Sequence, residues 1–471
     1  MLTVRATTRI AVVLLAALAL PAALGAPTVL AAFEGLNAPR VDGAAPPPAR
    51  VTHDPAKPTA VVVVGDRGAV VSDTLAPYDV LATTGAFNVY AVAPSGRPAP
   101  LTGGLDLVPD LTFAGLADLL GDEAADVVVV PAMPDVGQST SKPVTDWLTG
   151  QAAGGALLLG VCNGSGVLAS AGLLDGRDAT AHWLRLDSFE DDYPAVDWAR
   201  GTRYVDDGDV ITTAGILSGV DGTLRVVERL VGPDAAAEAA RATGWPHYHR
   251  GAAASMTQAD VRPADAVVGF NTAFGWDRDR TGVLLTDGVG EIELASVFDT
   301  YGQSLAVGTV AVAPGVEPVR SRHGLTFAPR EDPTAAGDLD RLVVPGAGAA
   351  QRRAADRYAE LEPVYPHREG GFPFDGVLHD LARTTDVATA TWTARVLEYP
   401  TGHLVLNGPA WPWTRTLRPF GLAFLGALAA LGLLRLARAA STRRAVRSTP
   451  DAPPRPPRPR TRAAAAPRPP G

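Results

Sequence analysis

Cys162 is the one cysteine of the chain. It stands in Gly160-Val161-Cys162-Asn163-Gly164, after the apolar run Ala156-Leu157-Leu158-Leu159 and before an alanine-rich stretch of helical character. Small residues on both sides allow a sharp strand-to-helix turn that projects the side chain between them into a crevice. A helix starting there would aim its free N–H groups and positive dipole end at the sulfur, so a lowered thiol pKa is expected. The chemistry open to such a thiol is nucleophilic attack on a small electrophile. The competing reading is a small buried hydrophobe, the usual state of a free cysteine. A single cysteine excludes an intramolecular disulfide and a zinc site built from several thiolates.

Several buried strands are needed to carry that turn. Ala60-Val61-Val62-Val63-Val64 is a continuous β-branched run of the kind found in parallel sheets buried on both faces. Asp73 to Leu81 reads as a short amphipathic helix, Asn88 to Ala93 as a strand, Asp126 to Pro131 as a third strand and Ala156 to Val161 as a fourth. Helical patterns between them mean βαβ crossovers and an α/β sandwich with helices on both faces. Ligands of such sheets bind beyond the carboxyl ends of the strands, where Cys162 falls.

The pattern then starts again. Asp73-Thr74-Leu75-Ala76-Pro77-Tyr78-Asp79 and Glu293-Leu294-Ala295-Ser296-Val297-Phe298-Asp299 share acid, aromatic and acid at one spacing. Both reach an Ala-Val-Ala-Pro strand end at the same interval, at Pro94 and Pro314, and Val129-Val130-Pro131 corresponds to Val343-Val344-Pro345. An internal duplication follows. The second copy has no counterpart of Cys162. Beyond Gly346-Ala347-Gly348 it blurs into a helix near Gly376 to Arg383 and a strand around Val387 to Leu397. Packing or an interface is its expected role, with an intramolecular pseudo-dimer of the two copies as the consequence.

The ends have a different chemistry. Arg5 and Arg9 precede an uncharged stretch from Ile10 to Ala32, the form of an export signal cleaved near Ala26 or Ala32, or else of an uncleaved anchor; Pro21 and Pro27 favour processing. A second apolar run, Pro419 to Leu434, extends to Ala440 if Arg435 and Arg438 snorkel, with Trp411 and Trp413 at the interface. Ten arginines and one acid follow from Arg435 onward. The positive-inside rule places that tail in the cytoplasm and the body outside, giving a single-pass cell-membrane protein. Subtracting the tail's +9 from the chain's −9 leaves the rest near −18, a poor match to nucleic acid, while the tail suits anionic lipid. The expected divisions are 1–32 leader or anchor, 33–58 linker, 59–233 first domain, 234–279 connector, 280–410 half-domain, 411–440 transmembrane helix and 441–471 basic tail.

From Thr59 to about Gly232 the chain resembles the PfpI/ThiJ superfamily, whose domain is a class I glutamine-amidotransferase-like, flavodoxin-type sandwich with a nucleophile elbow. The resemblance rests on Ser72 to Asp79, on Gly160 to Gly176 with Cys162 at its turn, on Ala179-Thr180-Ala181-His182-Trp183, and on Asp207 to Gly215 with Asp221. The nearest branch is the isonitrile-hydratase-like group, which includes sensor-type domains fused to regulators. What it implies is a nucleophilic Cys162 with the Asp73 carboxyl beside the sulfur as acid and base. Desolvation and the neighbouring thiolate would push that carboxyl toward its neutral form. Asp73 could also cap its helix.

The same resemblance implies oxyanion donors at the backbone N–H groups of Asn163 and a residue near Ala132. Ala132-Met133 stands where Gly-Gly is common, and Asn163 where threonine is usual. His182 would orient ligand or else cap the strand beside Trp183. A peptidase would have histidine after the cysteine, where this chain has Asn163, and a glutaminase would need a His-x-Glu late in the first domain, which residues 213–233 lack. His247 and His249 lack a third metal ligand close in sequence, and Gly346-Ala347-Gly348 lacks the dinucleotide fingerprint, so no metal and no cofactor are expected. The expected activity is cofactor-independent hydration or hydrolysis of a small molecule. The alternative is a noncatalytic ligand-binding sensor or scaffold.

Overall fold

The computed structural model describes residues 2–38, 51–121, 123–251, 253–335 and 337–447. Residues 39–50, most of the expected linker, and the basic tail beyond 447 lie outside the described residues. A seven-stranded sheet runs in the order Tyr204–Asp207, Val210–Thr213, Leu157–Gly160, Val127–Val130, Thr59–Val63, Asn88–Ala93 and Leu111–Thr112. All its pairings are parallel except the one between the first two strands. Thr59–Val63, Val127–Val130 and Leu157–Gly160 are buried along their whole length, as their valine and leucine runs require when helices cover both faces. The fold is a flavodoxin-like α/β sandwich with a strand–turn–helix elbow at Cys162.

The helix Val71–Thr83 corrects one expectation. It is not amphipathic, because every residue from Val71 to Leu81 is buried. A helix apolar all round is one enclosed on all sides. The sheet lies against it on one side, and the helix Glu291–Ser304 packs along it on another.

Residues 280–343 contain a smaller parallel sheet, ordered Gly308–Val312, Arg280–Leu284, Arg341–Val343. That is the order in which Asn88–Ala93, Thr59–Val63 and Val127–Val130 stand in the large sheet. The two halves meet reciprocally. The Ser72 N–H donates to Asp299 Oδ2 at 2.9 Å, and the Ile292 N–H donates to Asp79 Oδ2 at 3.0 Å. A four-stranded sheet joins the halves through an antiparallel pairing of Leu105–Val108 with Thr326–Ala328, centred on Leu107 and Phe327. One sequence spacing separates Ser72 from Ile292, Asp79 from Asp299, and Leu107 from Phe327. Residue i meeting j while the counterpart of j meets that of i is the pattern of a twofold interface.

Asp299 is fully buried and also accepts from the Thr102 hydroxyl at 2.9 Å. Asp299→Ala strands a buried N–H and a hydroxyl, so a loss of about 2–4 kcal/mol is expected in urea unfolding. A loss below about 1 kcal/mol would mean that the two donors find other partners.

The segment Val387 to Leu397, expected as a strand, is the helix Val387–Val396. Asp386 caps it, accepting from the Thr389 N–H at 2.7 Å, and the Thr393 hydroxyl bonds back to the Thr389 carbonyl at 2.9 Å. A good N-cap and burial override the β-branched composition that suggested a strand. The helix Pro373–Thr384 stands where one was expected.

Two helices, Thr7–Leu36 and Trp413–Ser441, are long and apolar enough to cross a membrane. The N-terminal helix, Leu2–Leu36, runs unbroken through Pro21 and Pro27 and takes in residues 33–36, assigned above to the linker. Residues 23–419 form one compact unit; the described residues among 1–22 and 420–471 form another. In the latter, a side chain at Gly426 would collide with the Ala16 carbonyl, so its helices approach at backbone distance.

Candidate active site

Cys162 adopts φ +57°, a left-handed conformation that costs a non-glycine residue energy and persists only where its surroundings enforce it. The enforcement is local. A Cβ at Gly160 would lie 2.9 Å from Leu168, and one at Gly164 would collide with the Val130 carbonyl. The Gly164 N–H closes the turn onto the Val161 carbonyl at 2.7 Å, and the Cys162 N–H donates to Thr213 Oγ1 at 3.2 Å on the adjacent strand. The sequence-level reading of a sharp elbow is therefore the conformation adopted.

Asp73 lies beside the thiol and interacts with it. It is the third residue of its helix, whose N-cap is Val70, so the expected capping role does not occur. Its Oδ2 accepts the Ala132 N–H at 3.1 Å, while Oδ1 is buried without a partner among the described residues. Burial, and then the Asp299 charge, push this carboxyl well above the ordinary carboxylate range, against the Ala132 hydrogen bond. Burial thus holds Asp73 toward its neutral form, with Oδ1 unpartnered among the described residues.

The thiol departs from expectation. Burial, then the Asp73 charge, raise Cys162 well above its ordinary pKa; the Asn163 N–H at the sulfur only partly offsets them. Cys162 is 3% exposed, and the elbow helix Gly164–Ser170 has seven residues, so a short dipole cannot compensate for the loss of water. Both groups of the pair are therefore pushed toward their protonated forms. Iodoacetamide labelling of Cys162 is therefore expected to show a pH midpoint above the unperturbed ~8.5. Asp73→Asn removes the carboxylate charge that opposes ionisation of the thiol, and should lower that midpoint. A midpoint already below ~8.5 in the parent protein would contradict this geometry.

The two expected oxyanion donors are both occupied. The Asn163 N–H serves the sulfur and the Ala132 N–H serves Asp73. His182 is buried, with both ring nitrogens committed to backbone: Nε2 to the Val396 carbonyl at 2.8 Å, and Nδ1 to the Leu184 N–H at 3.2 Å. Burial lowers its pKa to about 4, so the ring is neutral. It ties the first half to the helix Val387–Val396; of its two expected roles, neither ligand orientation nor capping beside Trp183 describes these bonds.

One group at this site had no signal in the sequence. Glu398, on the far side of the duplication, accepts the Gly215 N–H at 2.6 Å and the Ser218 hydroxyl at 2.7 Å. Both donors follow Val210–Thr213, the strand next to the one bearing Cys162. A lone acid in Arg395-Val396-Leu397-Glu398-Tyr399 gives no indication that it is buried.

The remaining clusters have structural partners. Asp79, Glu291 and His323 gather within 4.8 Å, but Arg322 pairs with Asp79 at 3.1 Å and His323 with Glu291 at 3.0 Å, leaving the charges balanced. His247 packs edge-on against Trp245 at 4.9 Å and faces His403 at 6.3 Å.

A parallel sandwich with a strained cysteine elbow and a buried acid defines a nucleophile-elbow α/β protein. The DJ-1/PfpI family model matches residues 59–229. Isonitrile hydratase of Pseudomonas putida is 36% identical over 167 residues, covering 35% of this chain and 68% of that protein. The transcriptional regulator CdhR of Pseudomonas aeruginosa is 29% identical over 152 residues, covering 32% of this chain and 43% of the regulator. The crystal structure of Drosophila melanogaster DJ-1beta is 25% identical, covers 40% of this chain and 97% of its own, and has a TM-score of 0.35. The chain belongs to the DJ-1/PfpI family.

Proposed function

We propose that this protein adds water to a small electrophilic molecule through Cys162, without a cofactor, in a body anchored at the membrane and lying outside the cytoplasm. The observation that carries this reading is the strained Cys162 thiol held beside a buried Asp73 that has one carboxyl oxygen unpartnered among the described residues. In the first step sulfur bonds to the electrophilic carbon, Asp73 hands its proton to the substrate, and the thiol proton passes to Asp73. Water then adds across the C=N bond, its oxygen to the same carbon and one proton to the nitrogen, the C–S bond breaks, and the other water proton returns through Asp73 to the sulfur. The balance is one water gained and no redox change.

Both backbone donors suited to an oxyanion are occupied, which favours addition to an isonitrile-like carbon over acyl transfer through a tetrahedral oxyanion. The relationship to isonitrile hydratase supports the same chemistry. The second half takes the place of a partner subunit, a reading supported by the reciprocal Ser72–Asp299 and Ile292–Asp79 contacts. The helix Trp413–Ser441 anchors the body; the N-terminal helix is a second span or a removed leader.

The test is turnover of small isonitriles by the full-length protein in detergent, followed as appearance of the N-substituted formamide. Absence of turnover with every substrate offered counts against an enzyme. The second reading, a ligand sensor, is favoured by the 3% exposure of Cys162 beneath a segment of the second half, and by the family's regulator members. Under that reading the same compounds raise the melting temperature without being consumed.

A further inference from the structure

The residues Arg395 to Glu398 lie across the elbow side of the first half. The Arg395 carbonyl accepts from Trp183 Nε1 at 3.4 Å, Val396 from His182 at 2.8 Å, and Leu397 from the Leu217 N–H at 3.0 Å. Glu398 ends this strap in a left-handed conformation, φ +51°, unusual for a residue with a Cβ. Its side chain fills the space over Gly215, where any Cβ would collide with the Glu398 carboxyl. Oε2 takes both donors of the 215–218 turn, while Oε1 is buried without a partner among the described residues. A strained backbone, a glycine cleared for the side chain and an unpartnered buried oxygen together exceed what a simple tether requires.

We propose that Glu398 is a positioning residue of the Cys162 site, supplied by the second half of the chain, which pins the 215–218 turn and places a carboxyl where its negative charge opposes the thiolate. This rests on Cys162 being the reactive group. Burial pushes the Glu398 carboxyl up to about 7, the Ser218 and Gly215 hydrogen bonds opposing it, so it changes charge near neutrality. The charged and titratable groups around it are the Arg203–Asp221 pair, joined at 3.0 Å, together with Asp73 and Cys162. Once ionised, Glu398 adds a negative charge to a site that already opposes the thiolate, so thiol reactivity rises with pH less steeply than a lone thiol would allow. Through Glu398 the second half would thus set the reactivity of the one thiol.

The experiment is iodoacetamide labelling of the full-length protein from about pH 6 to pH 10, comparing parent, Glu398→Gln and Ser218→Ala. Glu398→Gln keeps a side chain of the same length and removes the charge, so labelling near pH 8 should rise about threefold to tenfold, with the midpoint shifted down. Ser218→Ala removes a hydrogen bond that favours the anion; the inflection near neutrality should move to higher pH, and this variant serves if Glu398→Gln does not fold. Superimposable profiles for parent and a folded variant overturn the proposal while leaving Cys162 reactive. A Cys162 that stays unlabelled in all three proteins overturns the proposal together with the reactive-thiol reading.

Discussion

Cys162→Ser should abolish isonitrile turnover by at least about a thousandfold while leaving the melting temperature within a few degrees of the parent. Serine is nearly isosteric and can occupy the same left-handed turn, and the Cys162 N–H bond to Thr213 does not depend on the side chain. What changes is nucleophilicity. A serine hydroxyl is far less acidic than a thiol, so the proton transfer to Asp73 that frees the sulfur is much harder for an oxygen, and both nitrogens of His182 are engaged elsewhere. The measurement is formamide formation under saturating substrate, with thermal unfolding as the control for folding. Turnover retained within tenfold would exclude a covalent role for the sulfur and leave Asp73 acting on water directly.

Gly164→Ala should be the most destabilising single-methyl change at the elbow, costing about 3 kcal/mol or more. Its new Cβ would collide with the Val130 carbonyl, a backbone atom in the middle of the sheet that cannot rotate away. Either the strand Val127–Val130 or the elbow must move, and the elbow carries Cys162. Gly150→Ala is the matched control, since that helical position meets nothing within 4 Å and should gain a few tenths of a kcal/mol to about 1 kcal/mol. Urea unfolding of the two variants separates a steric cost from a general intolerance of alanine. If Gly164→Ala cost no more than about 1 kcal/mol, the close packing of elbow against strand would be wrong.

Much of this architecture could be read from residue order. The valine runs at Thr59–Val63 and Val127–Val130 could only be strands buried on both faces, and the glycines around Cys162 could only serve a turn too tight for a Cβ. A repeated spacing was visible too, because Asp73 and Asp79 are matched by Glu293 and Asp299 at one interval. What the spacing did not reveal is that Asp79 and Asp299 each cap the start of the other half's helix. A sequence match identifies like residues and says nothing of how the copies face each other. The errors at Val71–Thr83 and Val387–Val396 have the same origin: periodicity and propensity are local, whereas enclosure by a second helix or capping by Asp386 depends on neighbours in space.

The sequence by itself determined the elbow and the parallel sheet beneath it, since these follow from side-chain size, apolar period and contiguous spacing, while Asp73 beside the thiol came only from the family resemblance. Only the tertiary structure decided the charge state of the site. The Cys162 thiol is raised rather than lowered, because burial and nearby carboxyls outweigh the dipole of a seven-residue helix. It also brought Glu398 across the duplication to the turn beside the thiol. Ionisation depends on distance through space and on exclusion of water, and neither can be read from position along the chain.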